Sequence, residues 1–151
     1  MRKTNVLAAI FAVLLSTIPL AGCLTVATYN EQAYKNATDL KAETDALIDK
    51  MGGVYLTKGV DDLNTKINAA YEYSAGLSNN GISAAQWSLI RNLYGTVTGL
   101  WRKQGPLGAY FRSQHKPQID EAYDTIICVE ANKKADTDCQ KKAVQPQASG
   151  T

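Results

Sequence analysis

The chain has 151 residues, of which 16 are lysine or arginine and 14 are aspartate or glutamate, so its formal net charge is only +2. This length suits one small domain, and the near-neutral balance argues against nucleic acid as a ligand, because nucleic-acid binding calls for a basic patch. The single histidine excludes a histidine-based zinc site.

The N-terminal segment has the layout of an export signal. Arg2 and Lys3 are followed by an apolar run from Val6 to Leu20. A charged start, an apolar run of about 7–15 residues and small residues at the cut describe a signal peptide, whereas a membrane span needs about 20 apolar residues. Arg2 and Lys3 account for the whole positive balance, so a chain without residues 1–22 is neutral. This neutrality also argues against strong overall attraction to anionic lipid.

The stretch Leu20-Ala21-Gly22-Cys23 resembles a lipobox, the maturation site of bacterial lipoproteins. The resemblance covers residues 1–23. It implies cleavage between Gly22 and Cys23, a diacylglycerol group on the Cys23 sulfur and an N-acyl chain, commonly palmitate, on the freed amine. A thiolate is the nucleophile that such a thioether requires. Two or three acyl chains hold a protein firmly on a membrane.

The residue after Cys23 is Leu24 rather than aspartate. By the sorting rule of lipoproteins, this implies the outer membrane of a Gram-negative cell, on its periplasmic face. A Gram-positive host would instead hold the protein on the outer face of its single membrane. An ordinary signal peptide, with Cys23 incidental, is the alternative.

The other two cysteines form a natural pair once Cys23 is lipidated. Cys128 and Cys139 are then the only thiols left in an exported chain, and an oxidising compartment favours a disulfide between them. Two free thiols or a metal site are the alternatives, although no third cysteine or nearby histidine supports a metal.

Two helices with narrow apolar seams follow the signal. The segment from Thr25 to Met51 predicts the first, which Gly52-Gly53 ends. The second begins between Val54 and Asp61, and Gly76 followed by Leu77 to Gly81 stops it. The first seam is Ala33, Ala37, Leu40, Thr44, Leu47 and Met51, and the second is Leu56, Val60, Leu63, Ile67, Ala70, Ser74 and Leu77.

Ser83-Ala84-Ala85-Gln86 predicts the start of the third helix through a capping box, and Gly105-Pro106 ends it. The stripe of this helix is Trp87, Ile90, Leu93, Tyr94, Val97, Leu100 and Trp101. In the fourth, Pro117 either opens the helix near its first position or kinks one already running. Its stripe is Ile119, Ala122, Tyr123, Ile126, Val129 and Lys133.

These segments predict an all-α fold, an antiparallel four-helix bundle that follows a cleaved signal peptide. The domains are the signal peptide at 1–22, the bundle at 23–140 and a tail at 141–151 that is poor in apolar residues and is expected to be disordered. The layout resembles that of small helical bacterial lipoproteins, a likeness that assigns no site.

The sequence offers no convergent catalytic set, and no catalytic residue, metal site or cofactor is predicted. His115 is expected to be an exposed polar residue, and the pairs Asp61-Asp62 and Asp120-Glu121 place adjacent carboxylates on different faces of a helix. Haem bound by Met51 and His115 is the one cofactor alternative, and C-x-x-C-H is absent.

The aromatic residues are the one suggestive feature. Most are expected to fill or border the core, while Tyr73, Trp101 and Tyr110 are predicted to be exposed anchors for a partner, because Tyr and Trp often dominate binding surfaces. The sequence therefore favours a lipid-anchored, non-catalytic binding module, with an envelope protein or a small apolar ligand as its partner. The alternative is a small envelope hydrolase acting on peptidoglycan or lipid. The oligomeric state is left open.

Overall fold

The computed structural model describes residues 27–133 and 137–144. The predicted signal peptide, the lipobox and Cys23 lie outside these residues, and so does the chain beyond residue 144.

The described part of the chain is all-helical, with four long helices packed against one another and a short fifth helix. This confirms the predicted all-α class. The helices are α1 (Glu31–Lys50), α2 (Thr57–Gly76), α3 (Gly81–Gln104), α4 (Ala109–Ala131) and α5 (Asp138–Val144).

α1 begins at Glu31 because the Asn30 side chain accepts a hydrogen bond from the Ala33 amide at 2.9 Å. Such a cap satisfies one of the amides that have no partner inside the helix. Every residue of the predicted α1 seam is buried. Its one polar member, Thr44, lies with its hydroxyl oxygen 2.8 Å from that of Tyr123, so both groups are paired in the core.

α2 begins at Thr57 and ends at Gly76, and both ends lie inside the predicted windows. Its seam is buried from Val60 to Ser74. Leu56 is an exception, since it precedes the first helical turn and is 37% exposed.

The predicted capping box of α3 is wrong. The helix begins at Gly81, and the residue before it makes no side-chain cap. Ser83 instead donates to a Glu130 carboxylate oxygen, while the Gln86 amide donates to the carbonyl of Ala143 at 2.9 Å. Both side chains are buried, so partners on neighbouring helices replace the local ones.

The end of α3 matches the prediction. Gln104 is its last residue, and Gly105 follows with φ of +80°. Glycine adopts such a conformation without the steric cost that a Cβ would add.

α4 runs through Pro117, so this proline does not open the helix but lies inside one already running. Because proline has no amide N–H, one backbone hydrogen bond is missing there. The predicted stripe from Ile119 to Val129 is buried.

α1 packs against α2 and α4, and α3 packs against the same two helices. Within the described ranges, no Cα atom of α1 lies within 8 Å of one in α3, and the same holds for α2 and α4. Each long helix therefore has two long neighbours, and the apolar faces meet in one core. The largest fully buried side chains are those of Trp87, Trp101, Tyr94 and Tyr123.

α5 is absent from the sequence prediction. Residues 141–144, assigned there to a disordered tail, belong to this helix. A disulfide between Cys128 and Cys139 joins α5 to α4, and its two Cα atoms are 5.6 Å apart. The cysteine count predicts this pairing. α5 also contacts α3. A seven-residue helix is too short for periodicity to indicate, and its place depends on these tertiary links.

Candidate interaction site at one end of the bundle

The loop between α1 and α2 meets the loop between α3 and α4 at one end of the bundle, which we call the loop end. The amide of Leu107 donates to the carbonyl of Met51 at 2.8 Å. The indole of Trp101 donates to the carbonyl of Gly53 at 3.0 Å. The two loops are therefore fixed to each other and to the core beneath them.

Arg112 strengthens this junction. Its guanidinium donates to the carbonyl of Leu107 and lies against Gly52. A Cβ added at Gly52 would come within 2.6 Å of a guanidinium nitrogen of Arg112, so a side chain there would displace the arginine.

Three apolar side chains project from the loop end into solvent. Val54 is 76% exposed, Leu56 37% and Tyr110 80%. Of the five large hydrophobic residues that are exposed in the described chain, three thus belong to these two loops and the first turn of α4. We call Val54, Leu56 and Tyr110 the apolar tip.

The segments that form the loop end are basic. Residues 50–60 and 99–119 contain no aspartate or glutamate, and their cations are Lys50, Lys58, Arg102, Lys103, Arg112 and Lys116. Lys58 pairs with Asp62, and Lys116 lies 3.1 Å from Asp49. Among the described residues, no acidic side chain lies within ion-pairing distance of Lys50, Arg102 or Lys103, which we call the unpaired cations.

The three predicted partner contacts have different surroundings. Tyr110 lies in the apolar tip. Tyr73 is 39% exposed near the other end of the bundle, where its hydroxyl donates to Asn30 at 3.1 Å. For these two, the role in binding stays a prediction.

The prediction that Trp101 is an exposed anchor is wrong. Its side chain is fully buried, and its ring packs edge-on against Tyr55 with the centroids 5.0 Å apart. The position of Trp101 in the apolar stripe of α3 correctly indicated that it would be buried. Val54 and Leu56 are missed by the aromatic criterion. A signal for them exists in their apolar character beside Gly52-Gly53 and Lys58.

The N-terminal part of the described chain lies at the opposite end. The amide of Ala27 donates to the carbonyl of Asn79, in the loop between α2 and α3, at 3.3 Å. α1 then runs for 20 residues towards the loop end, and an α-helix of that length spans about 30 Å. The chain therefore enters the bundle far from the apolar tip.

A buried polar network lies at this N-terminal end. Glu130 is fully buried, and its carboxylate accepts the Ser83 hydroxyl and lies 2.9 Å from the ammonium of Lys133. The Lys133 side chain is only 4% exposed and also donates to Asn80. Glu130 thus holds the charge of Lys133 inside the fold.

The pKa of one carboxyl group between α1 and α4 is shifted. Burial, followed by hydrogen bonding to and repulsion from Asp120, raises the pKa of Asp45 to about 6. The Oδ1 atoms of both aspartates are buried, and neither has a hydrogen-bond donor in the described structure. Lys116 lies 4.0 Å from Asp45 and opposes part of this shift. The raised pKa favours the protonated form of the Asp45 carboxyl.

Other candidate chemistry is dispersed. His115 is half-buried rather than exposed, and its ring lies 4.1 Å from that of Phe111. Met51, the other residue of the haem alternative, is fully buried, and its carbonyl accepts from Leu107. In the described ranges, no group of three His, Cys, Asp or Glu side chains is arranged to hold a metal ion. None of the helices described is both long and apolar enough to cross a bilayer.

Comparison with known proteins gives no relative. No protein-family model matches the chain, and neither a curated protein nor a solved structure is significantly similar to it.

Proposed function

We propose that this protein is a lipid-anchored lipoprotein of the bacterial cell envelope, whose bundle is a non-catalytic interaction module presenting the loop end to a partner. The observation that carries the proposal is the separation of the two ends. The chain enters the bundle beside Asn79, whereas Val54 and Tyr110 project from the opposite end. An anchor on Cys23 holds the first end at a membrane and leaves the second free.

The bundle is proposed to be antiparallel, in up-down-up-down order. The supporting contacts run in opposite directions along neighbouring helices. Between α1 and α4, Lys41 pairs with Asp124 and Asp49 with Lys116. Between α1 and α2, Asn30 meets Tyr73 and Glu43 meets Lys66.

The same reversal holds for α3. Its Tyr94 donates to the carbonyl of Val60 in α2, and Trp101 donates to that of Gly53. Towards α4, Ser83 contacts Glu130 and Trp87 contacts Tyr123. Short connections between successive helices support the same order.

The non-catalytic role is supported by the surroundings of the polar groups. Ser83, the serine nearest an acid in the described core, donates to Glu130, and His115 lies in the N-terminal half of α4, far from it in sequence. Among the described residues, the carboxyls of Asp45 and Asp120 interact directly with each other. Glycoside hydrolysis needs carboxyls about 5–9.5 Å apart with substrate between them. The envelope hydrolase is therefore the weaker alternative.

The proposed anchor on Cys23 is supported by the lipobox and by the pairing of Cys128 with Cys139, which leaves Cys23 as the odd thiol. The outer membrane is the proposed site in a Gram-negative host, because Leu24 follows the cysteine.

The test is a Cys23→Ser variant compared with the parent chain in membrane fractions of a Gram-negative host. We expect the parent to sediment with the outer membrane and the variant to lose lipid and processing. A Leu24→Asp variant is the matched control, since the sorting rule predicts that it keeps the lipid but is retained in the inner membrane. Normal processing and unchanged sedimentation of Cys23→Ser would overturn the proposed anchor.

A further inference from the structure

We infer that the loop end docks on an anionic lipid bilayer, with the apolar tip entering the headgroup region and the unpaired cations against lipid phosphates. The inference rests on the proposed role of the loop end as an interaction surface, and it names the partner. The anchor on Cys23 is a separate matter, because the docking residues lie at the other end of the bundle.

The exposed cations of the loop end favour an anionic surface as its partner. Lys50, Arg102 and Lys103 are exposed and have no acidic partner among the described residues. The mature chain is neutral, so the cations of the loop end are balanced by an acidic excess elsewhere in the chain. The loop end therefore keeps local positive charge on Lys50, Arg102 and Lys103, although Asp49 and Asp62 pair with its other lysines. Each lysine or arginine near an anionic bilayer strengthens binding about fivefold.

The side-chain types of the loop end favour a membrane over a protein as its partner. Protein-binding hot spots are rich in Trp, Tyr and Arg, while Leu and Val are under-represented and Lys is depleted. The loop end presents Val54, Leu56, Lys50 and Lys103 beside one exposed tyrosine, Tyr110. Aliphatic side chains surrounded by lysine and arginine, with an amphipathic tyrosine, are typical of a surface that lies in the membrane interface.

The loops that carry the apolar tip are held in place before any binding. The tip projects from loops that are held by the Leu107–Met51 and Trp101–Gly53 hydrogen bonds and by Arg112. Its side chains are therefore exposed in the unbound protein without any rearrangement. Ordering costs at binding are small, which suits a weak contact of few side chains.

The geometry also defines which bilayer is met. The tip lies about the length of α1, roughly 30 Å, from the end where the chain enters the bundle. We therefore expect a protein anchored at its N-terminus to hold the tip away from its own bilayer, so that a second bilayer is the one proposed to meet it.

The experiment places the full protein, as purified from membranes, in neutral phosphatidylcholine vesicles and adds dye-labelled acceptor vesicles. One set of acceptor vesicles is made of phosphatidylcholine alone, and the other also contains about 30% phosphatidylglycerol, which is anionic. Flotation without acceptors measures anchoring, and co-flotation with acceptors measures docking. We expect docking only to the anionic acceptors, weakened by raising the salt concentration.

The variants separate the two components of the surface. Lys50→Gln with Arg102→Gln and Lys103→Gln should weaken docking on the order of a hundredfold. Val54→Ser with Tyr110→Ser should weaken it on the order of tenfold. Tyr29→Ser, which removes a tyrosine that is 57% exposed near the N-terminus, and Lys66→Gln on α2 are the matched controls, and both should dock like the parent.

Docking to neutral and anionic acceptors alike, docking unchanged by the tip variants, or no docking by protein that is well anchored would each overturn the inference. Photo-crosslinking from position 110 in cells to one protein partner, together with absence of vesicle docking, would assign the surface to a protein instead. Protein that fails to anchor in the neutral vesicles yet still binds the anionic ones through the tip would refute the anchor while supporting the docking.

Discussion

The ammonium of Lys133 lies 2.9 Å from Oε2 of Glu130, and the two side chains are 4% and 0% exposed. An ion pair removed from water in this way is costly to break from one side, because the remaining charge has no solvent to stabilise it. We expect Lys133→Met to lower the free energy of unfolding by about 3–5 kcal/mol.

Urea unfolding followed by circular dichroism measures this loss. Lys141→Met is the control, since its charge is 64% exposed, and we expect a change below about 0.5 kcal/mol. Replacing both Glu130 and Lys133 with apolar residues should cost less than the sum of the single changes. A Lys133→Met protein within about 1 kcal/mol of the parent would show that the charge is not held in the fold.

The Asp45–Asp120 pair predicts a stability that falls as pH rises. Because the pKa of Asp45 is raised from 3.8 to about 6 in the folded protein, the folded state binds more protons than the unfolded chain between these values. The stabilising effect of protonation is present in full below about pH 3.8 and is lost as pH rises through 6. Asp45→Asn should remove this pH dependence and raise stability at pH 7.5 by about 1–3 kcal/mol.

The measurement is a series of urea unfolding curves from pH 4.5 to 8. Asp49→Asn, which alters a carboxylate that is 67% exposed on the same helix, should keep the pH dependence of the parent. Lower stability of Asp45→Asn at pH 7.5 would indicate that the ion pair with Lys116 outweighs the repulsion.

The disulfide between Cys128 and Cys139 should stabilise the fold by about 2–3 kcal/mol, since it closes a short loop in the unfolded chain. The Cys128→Ser, Cys139→Ser variant should melt at a lower temperature than the oxidised parent. Its α5 amides should exchange faster, because the hydrogen bond from Gln86 to Ala143 is then the main polar link of that helix to α3 among the described residues. Equal melting temperatures with and without reductant would contradict this role.

Trp101 and Tyr110 lie on either side of one loop, and their replacement by alanine should affect stability very differently. Trp101→Ala should destabilise the protein by about 3–5 kcal/mol, because it empties a fully buried site. Tyr110→Ala should change stability by less than about 0.5 kcal/mol, because its side chain is 80% exposed. Paired thermal unfolding measures both, and comparable losses would contradict the assignment of Tyr110 to the surface.

Helical periodicity predicts the long helices well because it depends on burial alone. The seam from Ala33 to Met51 and that from Val60 to Ser74 are buried as expected. Periodicity fails where tertiary contacts decide. Ser83 fits a capping box locally, but a buried acid in α4 offers it a better partner, and no local rule places α5 beneath a disulfide.

The candidate site follows a similar rule. An aromatic residue can fill the core or project from the surface, and only the packing of α3 separates Trp101 from Tyr110. The cations of the loop end belong to two segments that are distant in the chain. Their proximity can be recognised only from the structure, in which the hydrogen bond between Leu107 and Met51 joins the two segments.

The most direct test of the account is the intact mass of the protein extracted from membranes, with and without reduction. The account predicts the mass of residues 23–151 plus a diacylglyceryl group and one N-acyl chain, with a gain of two hydrogens on reduction of the Cys128–Cys139 bond. The mass of the uncut precursor, or of a chain cut elsewhere and free of lipid, would contradict it.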